Sequence, residues 1–149
     1  LRKNRNYIDI AKVKPDVFNH NVETVPRIYK QIRPGSNYLE SLKLLREVKE
    51  FDKTIFTKSG IMIGLGEEYS EIIEVLKDMK KSNIDFVTIG QYLQPSIHHE
   101  KVHKFYSPYE FKSLYNYCLN LGFKMISSSP MTRSSYHADE DFEKLKKAI

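Results

Sequence analysis

Cysteine is almost absent from this sequence, since Cys118 is the only one among 149 residues. One thiol excludes an internal disulfide framework and any thiolate cluster that this chain could build alone. The sequence also lacks a run of about 18 apolar residues, so no segment is predicted to span a membrane. The first residues, "LRKNRNYIDIAK", contain no hydrophobic core of a signal peptide, and the start without Met suggests a fragment of a longer chain.

Charge of one sign is not concentrated on any segment either. The formal net charge is +5, yet basic and acidic residues are mixed throughout, as in "KLLREVKEFDK". Such mixing is typical of a solvated helix face and not of a nucleic-acid-binding stripe. With 40% hydrophobic residues, a chain of this length is expected to form about one domain with an ordinary core. We therefore expect neither nucleic acid nor membrane as a partner.

Apolar runs alternate with helical patterns along the chain. Strands are predicted around Val17 and Phe18, Ile61 to Ile63, Phe86 to Ile89, and Phe123 to Ser127. Helices are predicted after Ser36 or Asn37, from Ser70, between Ser107 and Gly122, and in the charged tail "DEDFEKLKKAI". The third helix has the clearest start, with a capping box from Ser107 to Glu110 around Pro108. Apolar strands separated by single helices predict an α/β fold with a parallel sheet covered by helices.

Each predicted strand is followed by polar residues. The four strand exits read "NHNVET", "GLGEE", "GQYLQPS" and "SSSPMTRSSYH". Because the carboxyl ends of parallel strands meet at the same edge of a sheet, these segments are expected to form one rim. The sequence therefore predicts a ligand site at this rim.

One motif on the rim matches the zinc-protease pattern H-E-x-x-H. It is "HEKVH", from His99 to His103. Zinc binding by this pattern needs both histidines one turn apart on a stable helix. The segment lies between Pro95 and the Ser107 cap and shows little apolar periodicity, so a charged connector is the preferred interpretation.

Three other local motifs are weak. "GLGEE" lacks the third glycine of a dinucleotide fingerprint, and a tight strand-to-helix turn explains it equally well. Cys118 falls on the apolar stripe of its helix, which favours a buried core residue over a nucleophile. Ser134 or Ser135 near His137 suggests Ser–His catalysis, but no nucleophile elbow surrounds them.

Taken together, the rim segments resemble a known family. The strings "PDVFNHNVETVPRIYKQIRPGSNY", "TKSGIMIGLGEE", "VTIGQYLQPSIHH", "SPYEF" and "RSSYHAD" resemble, in this order, the C-terminal half of lipoyl synthase, a radical S-adenosylmethionine enzyme. The resemblance runs from about Pro15 to Asp139. It implies that residues 1–131 form the later strands and helices of a partial (β/α)6 barrel, and that residues 132–149 form a C-terminal tail that ligates a cluster.

The resemblance also implies an activity. Lipoyl synthases insert two sulfur atoms into a protein-bound octanoyl chain, using S-adenosylmethionine and two 4Fe-4S clusters, one of which is sacrificed. Their partners are octanoylated lipoyl domains of 2-oxoacid dehydrogenase acyltransferase subunits or the glycine cleavage H protein. Both cysteine motifs of the family would lie upstream of this chain, so this segment alone is expected to be inactive. Another radical S-adenosylmethionine enzyme, or a non-catalytic α/β binding domain, is the alternative.

Site residues follow from the same resemblance. Ser135, or alternatively Ser134, would bind one iron of the sacrificed cluster through an oxygen, which is a harder ligand than thiolate. Arg133 would stabilise the anionic cluster or dock the motif, and Tyr136 and His137 would pack or hydrogen-bond the loop. The implied S-adenosylmethionine contacts are Asn19, Asn21, Glu23, Arg33, Ser59, Gly64, Gly66, Glu67, Gln91 and Gln94.

For each of these contacts, a structural role in a turn or cap is the alternative. Asn19, Asn21 and Glu23 would hold the ribose and amino-acid portions, and Gly64 and Gly66 would leave room for the nucleoside. A carboxylate is the expected partner of the Arg33 guanidinium, which would bind it in a bidentate manner.

The sequence departs from the family pattern in two places. "HHEKVHKF" stands where Leu-Pro often follows the paired histidines, and Ser127 to Ser129 stand where small and aliphatic residues are more usual. The abundance of Lys, Asn, Ile and Tyr fits an AT-rich genome, such as that of a parasite. The expected location is the matrix or stroma of an organelle, a mitochondrion or a plastid such as the apicoplast, with the bacterial cytoplasm as the alternative.

Overall fold

Residues 6–133 and 138–147 are described by the structure, which is a computed structural model. The strands are β1 (Val17–Asn19), β2 (Phe56–Ile63), β3 (Phe86–Gln91) and β4 (Met125–Ser128). The helices are α1 (Asn6–Lys12), α2 (Tyr29–Ile32, after a 3-10 turn at Pro26–Ile28), α3 (Tyr38–Phe51), α4 (Tyr69–Lys81), α5 (Pro108–Leu121) and α6 (Ala138–Lys147). The alternation of strands and helices predicted from the sequence is confirmed.

All four strands are parallel and lie in chain order, β1-β2-β3-β4. The longest pairing joins β2 to β3, from Lys58 opposite Phe86 to Ile63 opposite Gln91. The order never reverses, so the described sheet has no topological switch point of the doubly wound kind. The chain is therefore an α/β protein with a parallel sheet, as the apolar strands predicted.

Side chains alternate along each strand, so the register assigns them to two faces. Ile61, Ile63, Val87 and Ile89 are each at most 2% exposed and belong to the core that also contains the apolar stripes of α3, α4 and α5. The opposite face carries Gly60, Met62, Thr88, Gly90 and Ser127. We call it the glycine face. Apart from Met62, these residues are small or polar, which leaves the sheet accessible on that side.

Side-chain hydrogen bonds fix the first residues of α3 and α5. Asn37 caps α3 by accepting hydrogen bonds from the amides of Leu39 and Glu40, at 2.9 and 3.2 Å. The predicted capping box of α5 is confirmed, because Ser107 accepts from the Glu110 amide at 3.2 Å and Glu110 accepts from the Ser107 amide at 2.8 Å.

The start of α4 differs by one residue from the prediction, and the end of α5 agrees with it. α4 begins at Tyr69, one residue before the predicted Ser70, because the Glu71 carboxylate accepts from the amide of Glu68 and closes the first turn there. Gly122 ends α5 in a left-handed conformation, with φ +86°, as predicted.

Asp85 ties the amino ends of the strands together. Its carboxylate accepts hydrogen bonds from the Lys49 ammonium at 2.7 Å and the Thr57 amide at 2.9 Å, and the Lys124 ammonium lies 3.1 Å away. Its backbone carbonyl accepts from the amides of Lys124 and Met125. One 5% exposed carboxylate therefore links α3, β2, β3 and the start of β4.

The C-terminal helix α6 reaches the amino end of β2. Phe142 contacts Phe56 edge to face, with ring centroids 6.4 Å apart. Phe56 points to the same side of β2 as Gly60, so α6 covers the lower part of the glycine face and leaves its upper part to other residues. In the described parts of the chain, no helix is both long and apolar enough to cross a membrane.

Candidate functional site

A cavity of about 320 Å³ lies on the glycine face, at the carboxyl ends of β2 and β3. Its volume falls at the lower end of the range for small-molecule sites, roughly 300–1,000 Å³. Four residues predicted from the sequence line it, namely Asn21, Glu23, Gln91 and Arg133. Sequence reasoning missed Gly60, Thr88, Gly90 and Thr132, which line the same cavity. The cavity thus joins segments that leave β1, β3 and β4.

The segment that leaves β1 folds back onto β2. Glu23 donates its amide to the carbonyl of Gly60 at 3.0 Å and accepts from the amide of Met62 at 2.8 Å. Its φ is +79°, a left-handed conformation that costs a non-glycine residue about 1–2 kcal/mol. Strain of this kind is concentrated at ligand sites, because the surrounding structure has to enforce it. Here it brings Glu23 to the cavity, where Arg33 lies 3.7 Å from its carboxylate.

Asn21 offers the cavity an unsatisfied acceptor. Its side-chain oxygen Oδ1 is buried and has no hydrogen-bond partner among the residues that the structure describes. A β-carbon on Gly60 would collide with the Thr88 hydroxyl and would lie 3.1 Å from Asn21 Oδ1. Gly60 is therefore required for these two polar groups to approach the strand. Since buried polar atoms are nearly always paired, Asn21 Oδ1 marks a place for a ligand donor.

The segment that leaves β4 crosses the glycine face at Gly90. A β-carbon on Gly90 would collide with the carbonyl oxygen of Thr132 and would lie 3.3 Å from Arg133 Nη1. Arg133 Nη1 donates to the carbonyls of Thr132 and Pro130, at 2.7 and 3.3 Å. Both bonds are local, and they close the turn from Pro130 to Arg133 on itself beside the cavity.

The iron ligand expected from the resemblance falls on the segment that follows Arg133. Ser135, its alternative Ser134, and the neighbours Tyr136 and His137 lie outside the described residues. Arg133, which begins the same motif, does lie at the cavity.

Glu67 has a structural role. Its 8% exposed side chain accepts hydrogen bonds from the amides of Gly64 at 2.6 Å and Leu65 at 2.9 Å, and from the Tyr106 hydroxyl at 2.9 Å. Burial, together with the neighbouring Glu67 carboxylate, raises the pKa of Tyr106 above its ordinary value. The carboxylate therefore closes the turn after β2 and fastens it to the connector that follows β3.

The two glycines of this turn make room for that connector. A β-carbon on Gly64 would lie 2.6 Å from the Lys104 carbonyl, and one on Gly66 would lie 3.2 Å from His103 Nδ1. Neither glycine lines the cavity on the glycine face. Both glycines were expected to leave room for a nucleoside, and the structure shows that each leaves room for the connector.

Gln91 lines the cavity, yet its side chain is already bonded. Nε2 donates to the carbonyls of Tyr92 and Lys104, at 3.0 and 2.9 Å, and Oε1 accepts from the Tyr106 amide at 3.0 Å. Three protein partners hold it against the connector. A structural role therefore accounts for Gln91.

Three other predicted contacts lie away from the cavity wall. Ser59 is fully buried, and its hydroxyl accepts from the Val22 amide at 3.2 Å. Asn19 is exposed and borders a separate cavity next to α1 and α3. Gln94 is exposed and donates to the His99 carbonyl at 3.0 Å. The structure does not bring these three side chains to the same place as Asn21 and Glu23.

The "HEKVH" segment is a connector, as preferred from the sequence. It forms no helix, and His103 Nε2 lies 2.8 Å from a Glu100 carboxylate oxygen. Within residues 6–133 and 138–147, no group of three or more His, Cys, Asp or Glu is arranged to hold a metal ion. Cys118 is fully buried in the core, and burial raises the pKa of its thiol to about 12, so the core interpretation is confirmed.

The fold has a counterpart among solved structures. No protein-family model matches the sequence. The crystal structure of Streptococcus suis SuiB is similar over 90% of this chain, with a TM-score of 0.66 and 16% sequence identity. The aligned part is 31% of the SuiB chain, so this chain spans less than a third of that protein. At this identity the similarity concerns the fold.

Proposed function

We propose that this chain is the C-terminal half of a lipoyl synthase and supplies the later strands and helices of its radical S-adenosylmethionine barrel. Four parallel strands in chain order are what a segment of a (β/α) barrel requires, because each strand pairs with the next along the chain. The glycine face would then be the interior of the barrel. Three of the motif strings contribute residues to the cavity where the chain leaves β1, β3 and β4, for example Asn21, Gln91 and Arg133.

One observation carries this proposal. The segment after β1, with Asn21 and Glu23, and the segment after β4, with Thr132 and Arg133, line one cavity although they are more than a hundred positions apart in the sequence. A lipoyl synthase needs these two segments close together, because the first would hold S-adenosylmethionine and the second would lead to the cluster that gives up its sulfur.

The cavity residues fit S-adenosylmethionine. That molecule presents an amino group, two ribose hydroxyls and an exocyclic amine as donors. Asn21 Oδ1 is an acceptor without a described partner, and the Glu23 carboxylate is a second acceptor. Gly60 and Gly90 leave room beside the sheet for polar groups of the cavity, namely the Thr88 hydroxyl and Asn21 Oδ1 at Gly60 and the Thr132 carbonyl at Gly90. When bound, S-adenosylmethionine supplies the one-electron chemistry that breaks unactivated C–H bonds.

The chain's own residues would bind and orient in this scheme. Glu23 would accept from ribose hydroxyls or the amino group, while Asn21 would fix the direction of approach. Arg133 would hold its turn at the cavity, and Ser135 would bind one iron of the second 4Fe-4S cluster. The substrate would be an octanoylated lipoyl domain or H protein, in an organelle matrix or a bacterial cytoplasm.

The test uses the complete protein that contains this sequence. It is reconstituted without oxygen with iron and sulfide, and incubated with S-adenosylmethionine, a reductant and an octanoylated lipoyl domain. Mass spectrometry of the domain should show the gain of two sulfur atoms, and chromatography should show 5′-deoxyadenosine. The unmodified lipoyl domain is the matched control and should gain no sulfur.

The outcomes separate the alternatives. 5′-Deoxyadenosine without a sulfur-containing product, under any ratio of the reactants, would indicate another radical S-adenosylmethionine enzyme. Absence of both products in a protein with bound clusters would indicate a binding domain. Glu23→Gln should weaken S-adenosylmethionine binding in the complete protein by about tenfold, as expected for the loss of one charge-assisted hydrogen bond.

A further inference from the structure

Three hydroxyls cluster where the C-terminal segment leaves the sheet. Thr132 is 7% exposed, and its Oγ1 lies 3.0 Å from the Ser127 hydroxyl and 2.9 Å from the Ser129 hydroxyl. A hydroxyl can donate one hydrogen bond and accept two, so one oxygen can satisfy both serines.

Backbone bonds extend this cluster to the sheet. The Thr132 amide donates to the Ser129 carbonyl at 3.1 Å, and the Ser129 amide donates to the Ile89 carbonyl of β3 at 3.2 Å. The turn is therefore fixed to β3 through Ser129 and closed on itself through Thr132.

Arg133 is bonded to the threonine of this hydroxyl cluster. Its Nη1 donates to the Thr132 carbonyl at 2.7 Å, and that carbonyl rests against Gly90, where no β-carbon could fit. Ser127 and Ser129 do not line the cavity, whereas Thr132 and Arg133 do. The two serines thus act on the cavity only through Thr132.

We propose that Ser127 and Ser129 are positioning residues, whose hydroxyls hold Thr132 over Gly90 and so keep the start of the "RSSYH" motif at the cavity. This inference deepens the proposed function, since it names the residues that would present the motif for sulfur insertion. The position of Thr132 depends on these hydrogen bonds, whereas its consequence for sulfur insertion rests on the proposed function. Loss of both hydroxyls removes the two partners of Thr132 Oγ1 and loosens the turn without removing any group that lines the cavity.

A matched control lies on the same strand. The Ser128 hydroxyl donates to the Phe111 carbonyl of α5 at 2.8 Å, on the opposite face of β4. Ser128→Ala therefore removes a hydrogen bond of similar length without touching the turn. Ser129→Thr keeps a hydroxyl at its position and serves as the conservative variant.

The experiment compares Ser127→Ala, Ser129→Ala, their double variant and the two control variants in the complete protein. Hydrogen–deuterium exchange is measured for the amides of residues 129 and 131–133. We expect the double variant to exchange about tenfold faster or more, since a net hydrogen bond changes an opening equilibrium by about that factor. Ser128→Ala and Ser129→Thr should exchange like the wild type.

The second readout is the ratio of lipoyl product to 5′-deoxyadenosine. It should fall about tenfold in the double variant and stay within twofold for Ser128→Ala and Ser129→Thr, because only the position of the motif has changed. Equal losses of both products, or an exchange rate that the double variant leaves unchanged, would overturn the inference. If the single variants fold and the double variant does not, the same two comparisons are made on Ser129→Ala.

The two proposals can fail separately. A wild-type protein that makes no lipoyl product contradicts the proposed function, and the exchange rates alone then decide whether the serines hold the turn. A wild-type protein that makes lipoyl product, with variants that exchange and react like it, contradicts only the positioning role.

Discussion

The Tyr106 hydroxyl donates a hydrogen bond of 2.9 Å to the Glu67 carboxylate, and this bond joins the segments that leave the carboxyl ends of β2 and β3. The same carboxylate accepts from the amides of Gly64 and Leu65. The rim next to the candidate site is therefore held by one buried acceptor that has three donors. Glu67 was expected from the resemblance to contact a ligand, and in the structure its carboxylate holds these two segments together.

Glu67→Gln should destabilise the protein strongly. The NH2 group of the glutamine would point at one or more of the N–H or O–H groups that now donate to Glu67. Two donors cannot bond each other, so a buried group is left unpaired at a cost of about 2–3 kcal/mol. Tyr106→Phe should cost about 1 kcal/mol, because only one bond is lost. Urea titrations give the free energies of unfolding. The control is Glu74→Gln, whose side chain is 65% exposed and pairs with Lys77 at 3.0 Å. Equal free energies for Glu67→Gln and Glu74→Gln would contradict the supporting role.

Asp85 should make the free energy of unfolding decrease at acidic pH. Burial by itself raises the pKa of Asp85, but the bonds from Lys49, the Thr57 amide and Lys124 outweigh it and hold the pKa below its ordinary value. A carboxylate with a depressed folded pKa contributes stability above its unfolded pKa of about 4, and the contribution is lost as the pH falls through the folded value. We therefore expect the free energy of unfolding to fall between about pH 5 and the folded pKa.

Asp85→Asn tests that assignment. At about pH 7 it should cost about 3 kcal/mol, because Lys49 is largely buried and loses its charged partner. The variant should lose less stability than the wild type on acidification, since the titrating group is gone. Urea titrations at several pH values measure both effects. If the free energy of unfolding fell by the same amount at acidic pH in both proteins, other carboxylates would be its cause.

Cys118 should react slowly with thiol reagents in the folded protein. Its side chain is fully buried, and burial raises the pKa of the thiol to about 12. At about pH 8 the thiolate fraction is then roughly a thousandfold lower than for an ordinary cysteine, in addition to the steric protection. Absorbance of a chromogenic disulfide reagent gives the rate, and the urea-denatured protein is the control. A folded-state rate within tenfold of the denatured rate would contradict the burial.

Local chemistry explains why much of the fold could be predicted. The capping box at Ser107 and Glu110 spans four residues, so the sequence alone indicates the start of α5. The apolar runs that become β2 and β3 indicate buried parallel strands, because only strands covered by helices dispense with alternation. Such signals lie within one element and need no knowledge of its neighbours.

The site was harder to predict because its contacts depend on register. Gly60 faces Thr88 only because β2 and β3 pair in the register observed, and Gly90 faces Thr132 only because the turn after β4 folds back. Glu67 has a partner 39 positions away in Tyr106. From the sequence, the polar strand exits could be assigned to one rim, but they could not be divided into residues that support the rim and residues that face the cavity.

Gly60→Ala should weaken ligand binding more than it weakens the fold. The added methyl would displace the Thr88 hydroxyl from the strand and crowd Asn21, so the cavity loses its polar floor at a cost of about 1–3 kcal/mol in stability. We expect S-adenosylmethionine to bind at least tenfold more weakly in equilibrium dialysis of the complete protein. The control is Gly35→Ala, which is strained by about 1–2 kcal/mol because φ of Gly35 is +82°, but whose β-carbon would meet nothing within 4 Å and would leave the cavity unchanged. Unchanged binding in a folded Gly60→Ala protein would place the ligand elsewhere.

The proposed role of the "RSSYH" motif is tested most directly by comparing Ser135→Ala with Ser134→Ala in the complete, anaerobically reconstituted protein. The measurement is the amount of lipoyl product, by mass spectrometry of the carrier domain, relative to 5′-deoxyadenosine. If Ser135 is the proposed iron ligand, the substitution removes that ligand, and S-adenosylmethionine would still be bound by other residues. We predict that Ser135→Ala forms 5′-deoxyadenosine and almost no lipoyl product, while Ser134→Ala is much closer to the wild type. Ordinary lipoyl formation by Ser135→Ala would contradict the proposal, and a reversed ranking of the two variants would assign the ligand to Ser134.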